Sequence, residues 1–260
     1  MEPLLRAEHV TICYHGDPVV HDVSFELHEG EILGIVGESG SGKSTIIKAV
    51  MGLLGDDGMV TRGDIYYKNQ NVIDMPGKEL RRLLGPEMGM VFQDCKSALC
   101  PIRTVGAQIY ESMSAHRKIT RAESNQLAAE IMKKIGLTDT KRVLDSYPFE
   151  LSGGMNQRVG ICMAMMQKPS LLLADEPTSA LDVTVQKQVV EELKMMRKEY
   201  QTAMILVTHN IGVVSALADH ILVLQNGNVM EYGTTEQVIH HPHNKYTQKL
   251  MDSVLHIRRE

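Results

Sequence analysis

The chain has 260 residues and a formal net charge of −5, and its 43% hydrophobic and 23% charged residues are the balance of a globular protein with a large core. A net negative charge argues against a broad footprint on nucleic acid, because phosphate backbones are held by clustered Lys and Arg. No apolar run approaches the roughly 18 residues needed to cross a bilayer, no N-terminal signal pattern is present, and Cys13, Cys95, Cys100 and Cys162 form no C-x-x-C pair. The expectation is a cytoplasmic chain with free thiols.

Leu4 to Tyr14 and Val19 to Leu27 alternate apolar and polar residues, which predicts an antiparallel pair around the turn His15-Gly16-Asp17-Pro18. Glu31 to Val36 reads as a buried strand and Ser44 to Met51 as a helix. Between them, Gly37-Glu38-Ser39-Gly40-Ser41-Gly42-Lys43-Ser44-Thr45 fits the phosphate-loop pattern G-x-x-x-x-G-K-[ST] at every position. Glycines let the backbone turn successive N–H groups inward, Lys43 brings a charge for the outer phosphates, Ser44 offers a hydroxyl to Mg²⁺, and the helix N-terminus adds its partial positive charge. This stretch is therefore a nucleotide site.

Further strand is expected around Gly63 to Tyr67, a short helix around Lys78 to Leu84, and a compact strand over Met88 to Phe92 that stops at Gln93. The pattern then turns helical, with segments at Val105 to His116, Ala122 to Ile135 (closed by Gly136) and Gly153 to Met166. Leu171 to Ala174 reads as a fully buried strand running into Asp175-Glu176-Pro177. Val183 to Tyr200 is an amphipathic helix and Ala203 to Val207 another buried strand, followed by Thr208-His209-Asn210. Asp219 to Leu224 and Asn228 to Tyr232 flank the turn Asn226-Gly227, and a helical tail begins near Thr234.

Ligands of open α/β sheets lie beyond the carboxyl ends of the strands, so Gln93, Asp175 and His209 are expected near the phosphate loop. Asp175 is placed to hold Mg²⁺, and Glu176 to polarise an attacking water. His209 either hydrogen-bonds a γ-phosphate or is an exposed strand-end histidine, and Tyr14 either stacks on a base or is a half-buried strand tyrosine. Ser152 is an N-cap followed by Gly153 and Gly154, whose bare N–H groups at a helix start make a second anion site. Two phosphate-gripping elements far apart in one sequence suggest that two chains sandwich ATP.

The phosphate loop, Gln93, Leu151-Ser152-Gly153-Gly154-Met155, Leu171 to Pro177, Ser179-Ala180-Leu181-Asp182 and His209, in this order, resemble the ATP-binding subunit of an ABC transporter over essentially the whole chain. The resemblance implies one α/β domain over residues 1–260, with a P-loop NTPase (RecA-like) core and antiparallel β subdomain over about 1–92 and 168–240. It further implies an inserted helical subdomain over about 94–167 and a short tail from 241 to 260. It implies ATP hydrolysis with Mg²⁺ at Ser44, Gln93 and Asp175, and head-to-tail pairing in which Ser152, Gly153 and Gly154 close on ATP held by the partner's phosphate loop. Tyr14 matches the adenine-stacking position, Gln93 the loop that senses Mg²⁺ and the membrane subunit, and Asp182 the loop crossing the dimer interface.

Met155, the run from Ala174 to Gln186, and Glu231 to Thr234 leading to His241-Pro242 resemble the peptide and nickel importer branch. That branch implies a second, related but different ATPase chain, two permeases and, indirectly, an extracellular solute-binding protein, with the chain peripheral on the cytoplasmic face. Termination at Glu260 without a cysteine-rich tail resembles the shorter nickel-type subunits. Departures are Cys95 and Cys100 in place of Pro and Asn, Asn156 in place of a common Arg, and Asn210 in place of a common Asp. His240, His241 and His243 lack the acidic or Cys partner of a metal site. The alternatives are an ABC exporter subunit and a non-transport cassette protein, the latter disfavoured by the lack of heptad arms or a second cassette.

Overall fold

A computed structural model describes residues 2–179 and 181–252; Ala180, between Ser179 and Asp182, and residues 253–260 of the expected tail lie outside the described residues. In chain order the elements are β1 (Leu5–Tyr14), β2 (Asp17–Leu27), β3 (Ile32–Val36), α1 (Lys43–Val50), β4 (Gly58–Tyr67), β5 (Gln70–Asn71), α2 (Gly77–Leu83) and β6 (Met88–Val91). There follow α3 (Cys95–Ala98), α4 (Val105–Ser114), α5 (Arg121–Lys134), α6 (Thr140–Asp145), a 3-10 turn (Pro148–Glu150), α7 (Gly153–Met165), β7 (Leu171–Asp175) and α8 (Val183–Tyr200). The chain closes with β8 (Ala203–Val207), α9 (Ile211–Leu217), β9 (His220–Gln225), β10 (Asn228–Thr234), α10 (Thr235–His240) and α11 (Lys245–Asp252).

Residues up to 80 and from 203 onward form one compact unit, and 81–202 another. In the first, strands run in the order β5-β4-β1-β2-β10-β9-β3-β8. The β1–β2 and β1–β4 pairs are antiparallel, while β3 is parallel to both β8 and β9. All five residues of β3 and of β8 are buried, as befits parallel strands covered on both faces. β1 instead alternates buried and half-exposed positions, the mark of a sheet with one wet face.

The first hairpin differs from expectation. His15 and Gly16 both adopt positive φ (51° and 89°), so two residues close the turn and β2 already begins at Asp17. Pro18 lies within the strand, beside the register irregularity between Ile12 and Cys13, where a missing N–H is tolerated.

The second unit holds the parallel pair β6–β7 and most of the helices. β7 is buried at every position. α5 starts at a capping box between Thr120 and Glu123 and ends where Gly136 turns left-handed (φ 74°) and Leu137 N–H reaches Met132 O at 2.8 Å. The short α6 has no apolar period to announce it; its sign in the sequence is Asp139, whose carboxylate accepts from Arg142 N–H.

Candidate functional site

In the first unit, β3 delivers the chain into the phosphate loop and α1 takes it away. Two of the loop's glycines are dictated by space and conformation together. At Gly37 (φ 154°) a Cβ would lie 2.1 Å from Leu224 O, and at Gly42 (φ 98°) 2.9 Å from Val20 Cγ2 and 3.0 Å from Val19 O. Gly42 is also the left-handed N-cap of α1, and the first turn of that helix carries no acidic residue.

Lys43 is buried, with its ammonium donating to Gly37 O at 2.9 Å and Glu38 O at 2.7 Å. The charge is thus folded back across the loop, inside a wall that removes it from bulk water. Ser41, also buried, accepts a backbone bond from Gly227 N–H at 3.1 Å, tying the loop to the β9–β10 turn. From α11, half-buried Tyr246 brings its hydroxyl oxygen near Glu38, and burial pushes its pKa up.

His209 is exposed one residue past buried Thr208, whose N–H reaches Ile35 O at 3.2 Å. With Ile35 opposite Val207 in the parallel register, His209 stands at the level of the entrance to the loop. Tyr14 is half-buried, and a Cβ on Gly58 would come within 2.7 Å of its Cε1, so the ring lies over that glycine of β4.

In the second unit, Asp175 is the buried last residue of β7 and Glu176 follows at φ 44°, a left-handed conformation unusual for a residue with a side chain. The strained step turns the two adjacent carboxylates off one line. Gln93 Nε2 lies 3.5 Å from Glu176 Oε2, so the segments that follow β6 and β7 meet. Asp94 caps α3 by accepting from Ser97 N–H at 3.1 Å and from the Ser97 hydroxyl, which holds its carboxyl below the usual range.

Ser152 and Gly153 are exposed at the start of α7, with Ser152 Oγ accepting from Met155 N–H at 3.3 Å. Asp182 caps α8 through Val185 N–H at 3.0 Å, and that same Val185 is what Gly154 accommodates, since a Cβ there would meet Val185 Cγ1 at 2.9 Å. The two helix starts therefore touch. Further along, Arg158 on α7 bonds Gln188, and its Nε lies 2.7 Å from Glu192 Oε1 on α8. Burial outweighs the attraction of Arg158 and pushes the Glu192 carboxyl up to about 7.

The first unit offers a hydroxyl at Ser44, and the second a buried carboxylate at Asp175 and an amide oxygen at Gln93; each is a hard oxygen donor of the kind that Mg²⁺ prefers. Among the described residues no cluster of three His, Cys, Asp or Glu could hold a metal by itself. Cys95 and Cys100 are free thiols; Cys95 is buried, donates to Phe92 O at 3.3 Å, and has its thiol pushed up to about 12 by burial. Sequence reasoning gave no weight to Gln157, whose Nε2 approaches Phe92 O at 3.5 Å, and read Asn156 only as a departure from a common Arg. Their signal is two consecutive amides facing into a helix otherwise packed with Val, Ile, Cys and Met.

No helix among the described residues is long and apolar enough to cross a membrane. The family model for ABC transporters matches residues 20–179. The oligopeptide transport ATP-binding protein AmiE of Streptococcus pneumoniae serotype 4 is 41% identical over 236 residues, which is 90% of this chain but 66% of AmiE's length. The metal-staphylopine import system ATP-binding protein CntD of Staphylococcus aureus is 40% identical over 252 residues, 96% of this chain and 93% of CntD. The dimeric post-hydrolysis structure of the ATP-binding cassette MJ0796 with ADP and Pi superposes with a TM-score of 0.78 at 29% identity, covering 89% of this chain and 98% of that one. With the phosphate loop, the Asp175-Glu176 step and the Ser152 corner in the order and surroundings described, the chain belongs to the ABC transporter family and has the fold of its ATP-binding cassettes.

Proposed function

We propose that this chain is the ATP-hydrolysing subunit that energises a multi-subunit importer of short peptides or of a nickel-like metal chelate. The observation that carries the proposal is the presence in one chain of a preformed phosphate loop and a Ser152–Gly154 corner exposed at Ser152 and Gly153, both at helix starts of the kind that bind phosphate. The name of AmiE supplies the peptide class, and that of CntD the metal-chelate class and the direction of transport.

In this reading Lys43 and the loop N–H groups hold the β- and γ-phosphates, and Tyr14 stacks on the adenine. Glu176 polarises the attacking water, His209 donates to the γ-phosphate, and Ser44, Asp175 and Gln93 hold Mg²⁺. Mg²⁺, if bound there, would offset the charge of the phosphates. Ser152, Gly153 and Gly154 reach the ATP of a second cassette, a related but different chain, and Asp182 lines the interface with it. Two permeases and, through them, an extracellular solute-binding protein complete the assembly at the cytoplasmic face of the membrane. Exposed Phe92 and Phe149 favour a docked partner near Gln93.

Replacing Glu176 by Gln keeps size and removes the base. ATP hydrolysis should fall at least about a hundredfold while ATP-dependent association of the cassettes becomes easier to detect. Turnover within twofold of the parent would refute the role given to Glu176. Recovery of two permeases and a sister cassette with the tagged chain supports the assembly, and capture of one export permease alone would overturn the direction of transport.

A further inference from the structure

Asn156 stands one helical turn after Ser152 and is almost completely buried, at 1% exposure. Its side-chain amide nitrogen donates to three main-chain carbonyls of the segment that leads into α7: Pro148 O at 2.9 Å, Leu151 O at 3.2 Å and Ser152 O at 3.2 Å. Its own carbonyl oxygen is buried without a partner. An amide that leaves one end unsatisfied in order to bring its two hydrogens to three oxygens is a costly arrangement, tolerated where it fixes something.

What it fixes is the approach to the corner. The 3-10 turn before it is closed at its other end by Glu150, whose carboxylate accepts from Tyr147 N–H at 2.8 Å. Between these two clamps the chain from Tyr147 to Ser152 has one path, and the path decides where Ser152 Oγ and the N–H groups of Gly153 and Gly154 face. The short side chain of Asn156 brings one NH₂ to all three carbonyls.

We infer that Asn156 is the positioning residue of the Ser152–Gly154 corner, holding it in the form that closes on a triphosphate. The inference rests on the proposed role of that corner in binding ATP of a second cassette. Asn156 touches no nucleotide in this scheme. Its loss should therefore lower kcat of the assembled transporter and leave nucleotide binding by the phosphate loop alone.

Asn156→Asp is nearly isosteric and turns the donor into an acceptor facing three oxygens. In the complex purified through a tag on this chain, kcat for ATP should drop about tenfold at pH 8, with the equilibrium Kd for ATP within twofold of the parent. The protonated acid regains one donor, so the ratio of variant to parent turnover should rise as pH falls toward 6. Asn156→Ser, too short to span the carbonyls, should lose turnover similarly without acid recovery, and serves if the Asp variant folds poorly. Turnover of both variants within twofold of the parent, or equal and pH-independent losses in Kd and kcat together, would overturn the inference. Ser152→Ala separates the two ideas. If that change leaves turnover intact, the corner's role fails; if it abolishes turnover and the Asn156 variants do not, the positioning role alone fails.

Discussion

The two helix starts to which anion binding is assigned in the proposed function are built in opposite ways. At the phosphate loop the main chain itself is bent into place, with Gly37 and Gly42 in left-handed conformations against Leu224 O and Val19 O, and with Lys43 buried. At the Ser152 corner the main chain is ordinary, Ser152 and Gly153 are exposed, and the shape is imposed by side chains, Ser152 on Met155 N–H and Asn156 on three carbonyls. A grip set by backbone conformation is complete within its own unit. One that is exposed and held by side chains is suited to being completed by another surface, and is more easily retuned by substitution.

The sharpest way to break the comparison is Gly37→Ala. The added methyl meets a main-chain oxygen at 2.1 Å, in a conformation that L side chains avoid, so a stability loss on the order of 3 kcal/mol and loss of ATP binding are expected. Chemical denaturation and nucleotide binding measure both; a variant that binds ATP normally would show that the loop is not set by its backbone.

A second test uses pH. With the folded pKa of Glu192 near 7, above its ordinary value of 4.5, the stability this group contributes is fully present below about pH 4.5 and is lost as pH rises through 7. The unfolding free energy of the parent relative to Glu192→Gln should therefore fall between pH 5 and pH 8, by on the order of 2 kcal/mol. A flat difference across that range would mean that the contact between α7 and α8 at Arg158 does not depend on protonation.

The smallest effects distinguish neighbouring glycines of the corner. Gly154→Ala must displace Val185 Cγ1 from 2.9 Å and should cost about 1 kcal/mol, whereas Gly153→Ala enters open space and should be neutral or stabilising by about 0.5 kcal/mol. Equal denaturation midpoints for the two would remove the idea that Gly154 is where α7 meets the start of α8.

Much of this was legible in the sequence because the relevant signals are local. The loop pattern needs eight consecutive residues, and the buried strands β3, β7 (up to Asp175) and β8 are runs of apolar residues. The helix α8 was legible to its ends because Asp182 caps it and eighteen residues sustain one apolar face. The short α6 and α9 were not, since six or seven residues cannot establish a period, although Asp139 and Asn210 cap them. The left-handed Glu176 and the inward Asn156 were illegible for a different reason. Their significance lies in which carbonyls and carboxylates they meet, and that depends on partners a linear pattern does not display.

The thiols have a practical consequence. Cys13, Cys95 and Cys162 are buried, with burial holding the last two near a pKa of 12, and only Cys100 is exposed. An alkylating dye applied to the native protein should therefore mark one place, the link between α3 and α4, without mutagenesis. Fluorescence from that single tag would report on whatever comes to rest beside the segment following Gln93 as ATP is consumed.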